Sequence, residues 1–201
     1  MHDLHVDQAT SPQVSVLLIT GTVGAGKTAV AREIGELLRR TGLATGMRMG
    51  CGVIDLDALS YVAAGPVEDR FNSIFVVDNL KAVWPNYAAR GVERLVLARF
   101  VGAAHEVEAY REAIPSATVT VCRLTAPAET MQDRLRRREC GIARDFLVAL
   151  SHTLAAEIDE LAFEDFTVEN GPDRSVTDVA REVTERVGWP VPPATLGLSE
   201  H

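Results

Sequence analysis

One glycine-rich segment constrains the fold of this chain more than any other feature. Residues 21–28 read GTVGAGKT, which matches the pattern G-x-x-x-x-G-K-[ST]. An apolar run of β type, Val14–Thr20, precedes the segment, and residues 27–40 follow it with apolar side chains on one helical face. Gly42 is placed to end that helix. The segment is therefore predicted to be the loop between a buried strand and an amphipathic helix.

The rest of the chain repeats this alternation of short apolar runs and helical patterns. Further runs predict strands at Gly52–Leu56, Arg94–Val101, Ala117–Leu124 and Phe166–Val168. Helical patterns occur at 105–113, 127–138, 145–161 and 176–187, the last of them capped by Ser175. Strands that alternate with helices form a parallel sheet that is covered on both faces. We therefore expect an α/β fold, a three-layer α/β/α sandwich around a five-stranded parallel sheet.

One segment of the sequence fits two structures. Ser73–Asp78 (SIFVVD) has the composition of a buried strand that ends in an acidic residue. Apolar residues from Val76 to Tyr87, spaced four, three and four apart, indicate instead one face of a helix, which Pro85 is expected to kink. Because the strands of the sheet are already assigned, we favour the helix.

Residues 21–28 also have the chemistry of a phosphate-binding loop. The glycines let the backbone turn so that successive N–H groups point at phosphate oxygens, and the helix that follows adds the positive end of its dipole. The Lys27 ammonium suits the β- and γ-phosphates of a nucleotide, and the Thr28 hydroxyl suits Mg²⁺. We expect Lys27 to face solvent in the empty loop. The predicted nucleotide-binding residues of the loop are Gly21, Thr22, Val23, Gly24, Ala25, Gly26, Lys27 and Thr28.

Two carboxylates follow the second predicted strand. Asp55 and Asp57 lie at its carboxyl end, the edge at which open parallel sheets bind ligands. The two-residue period of a strand points both side chains to the same side. One carboxylate can hold a water of a Mg²⁺ ion, and the other can take a proton from a substrate hydroxyl. We assign Asp55, with Thr28, to the metal and Asp57, nearer the mouth of the site, to the base.

A run of arginines follows the fourth predicted strand. Arg134 and Arg138 are four residues apart and share one helical face, whereas Arg136 and Arg137 fit a solvated face. Arginine stabilises the charge of a phosphoryl group during its transfer. Residues 134–144 carry many charges and few apolar side chains, which is typical of a segment that opens easily. We therefore predict a mobile lid there that brings the catalytic Arg138 to the phosphoryl group.

A phosphate loop, a strand that ends in D-x-D and a helix with R-x-x-x-R follow one another over residues 14–188. In this layout the chain resembles the P-loop nucleotide and small-molecule kinases, in particular adenylylsulfate kinase and the gluconate and shikimate kinases. The resemblance implies strand order 2-3-1-4-5 and transfer of the γ-phosphoryl group of ATP, with Mg²⁺, to a hydroxyl or phosphate of a small molecule. It also implies that Arg134 packs on adenine, and that the residues after the fifth strand help to hold this base: Glu169, Asn170 and Gly171.

The likeness to adenylylsulfate kinase extends to one further stretch and ends there. Residues 68–74 (EDRFNSI) resemble the start of its acceptor-side helix and imply acceptor contacts from Arg70 and Asn72. The third strand, however, ends ARFVG, and Phe75 and Val76 stand where that enzyme has an arginine pair. These departures favour a more apolar acceptor pocket. Aromatic residues that serve either this pocket or the core are Phe71, Phe75, Trp84 and Tyr87.

Charge and composition narrow the partners of the chain. A net charge of −8 disfavours nucleic acid, and with it the alternative of a nucleic-acid end kinase. Residues 1–13 are predicted to be a flexible leader without a signal peptide, residues 14–189 a single domain and residues 190–201 a Pro-rich tail. No apolar run reaches the ~18 residues of a membrane span. We expect a cytoplasmic protein that acts on a small-molecule acceptor, and a homodimer is compatible with the sequence.

A second class of function carries the same loop. The pattern serves ATP and GTP alike, and it is also found in nucleotide-dependent switches and accessory ATPases that act on a protein partner. A switch of this kind needs an acidic residue at the end of a buried strand, for which Asp78 is available. A kinase needs lid arginines and an acceptor cavity instead. The sequence favours the kinase, and the position of Asp78 discriminates between the two.

Overall fold

The apolar runs form a parallel sheet in the computed structural model, which describes residues 13–62, 69, 71–138, 140–141, 145, 147–150, 153–154, 158 and 161–191. The strands are β1 (Val14–Thr20), β2 (Cys51–Asp55), β3 (Arg94–Ala98), β4 (Ala117–Thr125) and β5 (Phe166–Glu169). Their order is β2-β3-β1-β4-β5, and all of these neighbours pair in parallel. The predicted fold class and strand order are confirmed.

Helices cover both faces of this sheet. They are α1 (Lys27–Thr45), α2 (Ser73–Ala88), α3 (Ala104–Ala113), α4 (Ala128–Arg138) and α5 (Val176–Arg186). Every described residue between 145 and 161 is helical as well. None of the helices in the described part of the chain has the length and apolar character that crossing a bilayer requires.

Alternation along β1 divides the core into two layers. Val16 and Leu18 pack on the side of α2 and α3, whereas Leu17 and Ile19 pack on the side of α1 and α5. All four side chains are fully buried, and each contributes on the order of 1.5–3 kcal/mol by leaving water. A central strand that is apolar on both faces explains why the sequence reads as one continuous hydrophobic run.

Two elements end three or more residues away from the position that the sequence predicts. Helix α1 passes through Gly42 and ends at Thr45, where Gly46 (φ 68°) adopts the left-handed conformation of a C-cap. A Cβ atom at position 42 would lie 2.9 Å from the Met47 carbonyl oxygen, so Gly42 permits a close contact between the helix and the chain that follows it. Strand β3 ends at Ala98 rather than at residue 101, which leaves Arg99 just beyond the carboxyl end of the strand.

The ambiguous segment 73–78 lies in α2, as we favoured. Val76 and Val77 point into the core, and Asp78 is exposed on the outer side of the helix. Pro85 lies inside this helix. The expected cap of the last helix is also present, because the Ser175 hydroxyl accepts a hydrogen bond from the backbone N–H of Asp178 at 3.1 Å.

Candidate active site

The loop between β1 and α1 has a backbone that depends on glycine. Gly24 and Gly26 have φ values of 89° and 95°, in the region that L side chains rarely adopt. A Cβ atom at position 26 would lie 2.4 Å from the Asn170 side-chain nitrogen. The Asn170 amide donates to the Ala25 carbonyl oxygen at 2.8 Å, so the residue after β5 supports the loop from the other side. The shape of the loop is thus fixed by close backbone packing.

Lys27, the first residue of α1, is buried rather than solvent-facing as we expected. Its Nζ atom donates to the carbonyl oxygens of Gly21 at 2.9 Å and Thr22 at 3.2 Å. The ammonium folds back because the loop carbonyls are its nearest acceptors and a buried charge needs partners. Burial lowers the pKa of Lys27, while the nearby carboxylates of Asp57 and Asp55 act in the opposite direction. The ammonium is therefore held at the loop.

Thr28 and Asp55 form a small oxygen-rich group beside the lysine. The Thr28 hydroxyl donates to Asp55 Oδ2 at 2.9 Å, and Asp55 Oδ1 accepts from the backbone N–H of Asp57 at 3.1 Å. Among the described residues no cluster of three or more His, Cys, Asp or Glu could hold a metal ion by itself. A hydroxyl and one carboxylate are, however, the usual protein share of a Mg²⁺ ion that phosphates and water otherwise coordinate. The donor set fits a magnesium nucleotide.

Asp57 does not alternate with Asp55 along one strand as the sequence predicts. Strand β2 ends at Asp55, and Asp57 begins a short 3-10 turn, Asp57–Leu59. The Asp57 side chain is 53% exposed because it faces the cleft. Partial removal of its carboxyl group from water nevertheless raises the pKa of Asp57, against the opposing effects of Lys27 and Arg99. A carboxylate with a raised pKa is better suited to accept a proton.

The two arginines of α4 that were predicted to act lie at the loop. Arg134 donates to the carbonyl oxygens of Asn170 at 3.0 Å and Gly24 at 3.4 Å. Arg138 is exposed, lines the same cavity as Lys27 and contributes to the lowered pKa of that lysine. Arg136 faces solvent and pairs with Asp133 of its own helix at 3.1 Å. Arg134 thus contacts the loop and Arg138 lines its cavity, whereas Arg136 lies on the solvated side of the helix.

Two cavities open at the carboxyl edge of the sheet. The larger has a volume of about 680 Å³. Its lining comes from the loop and the first turns of α1, from residues at the ends of β2 and β3 and before α2, from the last turn of α4 and from the helical segment 145–161: Val23, Gly24, Gly26, Lys27, Thr28, Ala29, Arg32, Asp55, Asp57, Phe71, Phe100, Arg138, Leu147, Leu150 and Leu154. The smaller, of about 350 Å³, is lined by Asp57, Ser60, Tyr61, Val62, Phe71, Asn72, Arg99 and Phe100. The cavities share three wall residues, namely Asp57, Phe71 and Phe100.

The acceptor-side predictions fare unevenly against these cavities. Asn72 lines the smaller cavity, whereas Arg70 lies outside the described residues. Of the four aromatic residues, Phe71 lines both cavities, with its ring centroid 5.1 Å from that of Phe100. The other three, all in α2, do not line these two cavities. Trp84 and Tyr87 pack from the helix into the core, and Phe75 is partly exposed on its surface.

Arg99 is a residue that the sequence reasoning missed. Its side chain is only 2% exposed, and one guanidinium nitrogen lies 3.7 Å from Asp57 Oδ1. The other terminal nitrogen donates to the Phe71 carbonyl oxygen and approaches the Ser73 hydroxyl at 3.4 Å. The apolar pattern predicts Arg99 inside the third strand. The available signal is the single charge within residues 95–101 (LVLARFV), at the edge of the sheet where ligands bind.

Solved structures of several kinases share this fold. A sugar kinase from Janibacter sp. HTCC2649 matches with a TM-score of 0.59 at 17% identity, over 87% of this chain and 94% of that one. A tunicamycin resistance protein from Deinococcus radiodurans gives 0.59 at 15% identity, over 90% and 99%. A gluconokinase from Sinorhizobium meliloti 1021 gives 0.55 at 18% identity, over 89% and 93%. No protein-family model and no curated protein matches the sequence. The chain thus has the fold of P-loop small-molecule kinases.

Proposed function

We propose that the protein is an ATP-dependent kinase that transfers the γ-phosphoryl group to a hydroxyl or phosphate of a small molecule. One observation carries the proposal. Asp57 lines both of two adjoining cavities. One of them is also lined by the phosphate loop, and the other offers a separate space in which an acceptor can bind. A carboxylate between donor and acceptor is where in-line phosphoryl transfer needs its base. The shared fold of the sugar kinase and the gluconokinase supports the same reaction class.

The nucleotide side is proposed to bind and align the triphosphate. The amides of residues 21–28 point their dipoles at the phosphates, and Lys27 exchanges its loop carbonyls for phosphate oxygens. Thr28 and Asp55 hold Mg²⁺, which when bound neutralises phosphate charge. Arg134 and Asn170, which bond to the loop and to each other, keep the adenine-side assignment that the resemblance implies. ATP and Mg²⁺ are therefore the proposed donor and cofactor.

The smaller cavity is proposed to bind the acceptor. It is lined by a carboxylate, an amide, a guanidinium and the hydroxyl-bearing side chains of Ser60 and Tyr61, beside two phenyl rings. This lining fits a small hydroxylated compound with one apolar face, because the polar groups orient the hydroxyls while the rings cover the carbon skeleton. Asp57 accepts the proton of the attacking hydroxyl, which its raised pKa favours. Asn72 is the proposed acceptor contact on the opposite wall, and Arg70 keeps the same assignment.

Arg138 is proposed to stabilise the phosphoryl group during transfer. It lines the larger cavity together with the loop and lies in the last turn of α4. The proposed lid, residues 134–144, includes this turn and continues to positions 139 and 142–144, which lie outside the described residues. The apolar wall of Leu147, Leu150 and Leu154 borders the same space. Movement of this side toward the loop excludes water, which otherwise competes with the acceptor for the phosphoryl group.

The position of Asp78 counts against the alternative, a nucleotide-dependent switch or accessory ATPase. In such proteins an acidic residue at the end of a buried strand faces the metal. Asp78 lies in the middle of α2 and is exposed, away from the residues that line either cavity. Asp55 is the carboxylate beside the loop: it ends β2, bonds to Thr28 and can hold a metal in either class of protein. The kinase is favoured by the second cavity beside Asp57, which a kinase needs for its acceptor.

A screen of ATP consumption tests the proposal. Purified protein is incubated with ATP, Mg²⁺ and pools of nucleosides, nucleotides, sugars and aminoglycoside-like alcohols, and products are identified by mass spectrometry. We expect one pool to raise ADP release and to yield a compound heavier by one phosphoryl group, with no such product from Lys27→Ala. ATP hydrolysis that no pool stimulates, but that a protein partner does, would overturn the kinase in favour of the switch.

A further inference from the structure

Arg99 connects two parts of the acceptor side that are distant in sequence. Its guanidinium faces Asp57, which follows β2, and donates to the Phe71 carbonyl and the Ser73 hydroxyl at the start of α2. Its own backbone is anchored to β1, because the Arg99 N–H donates to the Ile19 carbonyl oxygen at 3.1 Å. One rigid, planar group therefore links the proposed base to the acceptor wall through the edge of the sheet.

The wall that Arg99 contacts has an unusual backbone. Asn72 has φ 53°, in the left-handed region, and its amide donates to the carbonyl oxygens of Ser60 at 3.0 Å and Val62 at 3.4 Å. Strained non-glycine residues persist only where their surroundings hold them, and such residues cluster at ligand sites. The bond from Arg99 to the carbonyl of Phe71 holds this turn from beneath. The smaller cavity thus depends on side-chain contacts for its shape.

A buried arginine is a poor choice for packing alone. The side chain is almost entirely removed from water, and among the described residues its Nε atom has no hydrogen-bond partner. An apolar side chain of the same volume would fill the space without the cost of desolvating a charge. The Ser73 hydroxyl donates in turn to the Glu106 carboxylate at 2.8 Å, which also accepts from the Gly102 N–H at 2.9 Å. These bonds extend the polar network from Arg99 to the start of α3. A role in the site accounts for a charge at this position.

We propose that Arg99 is a positioning residue: it holds the Asp57 carboxylate and the Phe71–Ser73 wall in the one arrangement that places the acceptor hydroxyl at the base. The inference rests on the proposed kinase function. Arg99 acts through Asp57 and the wall: its described side-chain contacts are with Asp57, Phe71 and Ser73 and not with residues 21–28, on which its charge acts only at a distance, by lowering the pKa of Lys27. The acceptor and the nucleotide therefore respond differently to its loss.

Arg99→Met, Arg99→Lys and Arg94→Met form the test. Arg94 is the first residue of β3 and Arg99 directly follows its last residue, so Arg94→Met controls for loss of an arginine at an end of this strand. We expect Arg99→Met to raise the acceptor KM on the order of tenfold or more and to lower kcat, with unchanged ATP KM, because bonds to charged groups are the strong ones. Arg99→Lys is expected to recover part of kcat, since its charge still faces Asp57, but to keep a raised KM, since an ammonium lacks the fork that spans several acceptors.

Hydrogen exchange without substrates separates this inference from the proposed function. Arg99→Met should speed amide exchange in peptides that cover 57–62 and 71–76 and leave peptides that cover 21–28 as in the wild type; Arg94→Met should change none of these. Wild-type exchange and wild-type acceptor KM in Arg99→Met would overturn the inference, as would an equal rise in both KM values. If Arg99→Met does not fold, an unchanged acceptor KM in Arg99→Lys overturns it. A protein without kinase activity that still shows the local exchange change refutes the proposed function alone.

Discussion

The nucleotide side and the acceptor side of this site are built by different means. On the nucleotide side the backbone itself has the required shape, fixed by glycines at positive φ and by the Asn170 bond to Ala25. On the acceptor side the backbone is held in place by side chains, namely Arg99 on Phe71, Asn72 on Ser60, and Asp69 on the first N–H groups of α2.

This difference predicts that substitutions are harder to accommodate in the loop than in the wall of the acceptor side. A backbone loop tolerates few substitutions, because a Cβ atom at Gly26 would meet Asn170 at 2.4 Å. A wall that side chains hold can be altered by single replacements without disturbing the loop. The two sides can therefore be tested separately, and variants on one side should leave the affinity of the other unchanged.

The largest effect is expected from Lys27→Ala on the nucleotide side. Removal of the ammonium leaves the triphosphate without its main cation, and we expect turnover to fall on the order of 10³-fold, at the upper end for a single charge-stabilising donor. Initial rates with ATP and calorimetric ATP affinity measure the loss. Because Lys27 is buried, the unfolding midpoint must be recorded as well. Lys81→Ala, an exposed lysine of α2, is the control. Unchanged ATP affinity and activity in Lys27→Ala would show that the loop does not bind phosphate.

Arg138→Ala is the next largest change and tests whether the nucleotide side closes. If Arg138 meets the phosphoryl group only in the closed state, it stabilises the transition state more than the bound nucleotide. We expect kcat to fall on the order of 10²–10³-fold, which corresponds to ~3–4 kcal/mol, with a smaller change in ATP Kd. Arg136→Ala, on the solvent side of the same helix, is the matched control. Equal and slight effects from both variants would make α4 a plain charged surface.

The sequence predicted the nucleotide side well because its signals are local. Eight consecutive residues, 21–28, specify the loop, and the strand and helix on either side follow from the period of their apolar residues. The environment of the Lys27 side chain is not a local property. Whether its ammonium contacts water or the carbonyl oxygens of Gly21 and Thr22 depends on how the whole loop folds. The environment that the motif predicted for Lys27 is therefore wrong, whereas its contact with phosphate stays a prediction.

The acceptor side was predicted less well because tertiary contacts create it. Strand β2 ends early because Asp55 accepts the backbone N–H of Asp57, a turn that competes with continuation of the strand. Arg99 reaches Asp57 only because the register of β2 and β3 sets Asp55 beside Ala98. The sequence shows an arginine and an aspartate 42 positions apart, and nothing local indicates that they meet. Asn72 was found through the resemblance, and its contacts with Ser60 and Val62 came from the structure.

A matched pair of asparagines tests the separation of the two sides with smaller effects. Asn170→Ala removes the bond to the Ala25 carbonyl, whereas Asn72→Ala removes those to Ser60 and Val62. A hydrogen bond of this kind is worth about 0.5–1.5 kcal/mol, or a change of about two- to tenfold. We expect Asn170→Ala to raise the ATP KM alone and Asn72→Ala to raise the acceptor KM alone, in steady-state titrations of each substrate. Variants that raise both KM values equally would mean that the two sides act as one unit.

The smallest effect concerns the rates at which the three cysteine thiols react with an alkylating reagent, rather than the rate of turnover. Burial raises the pKa of Cys122 to about 12 and that of Cys51 to about 11. At pH 8 the reactive thiolate is then about one part in 10⁴ of Cys122 and one in 10³ of Cys51, because each pH unit below the pKa lowers it about tenfold. Cys140 is exposed, two residues after Arg138. Iodoacetamide should therefore label Cys140 first, as mass spectrometry of peptides can measure, and Cys140→Ser should remove that fast phase.

If the lid closes over nucleotide, MgATP slows labelling of Cys140 and leaves Cys51, at the start of β2, unaffected. Equal protection of both thiols would contradict a closure confined to the nucleotide side.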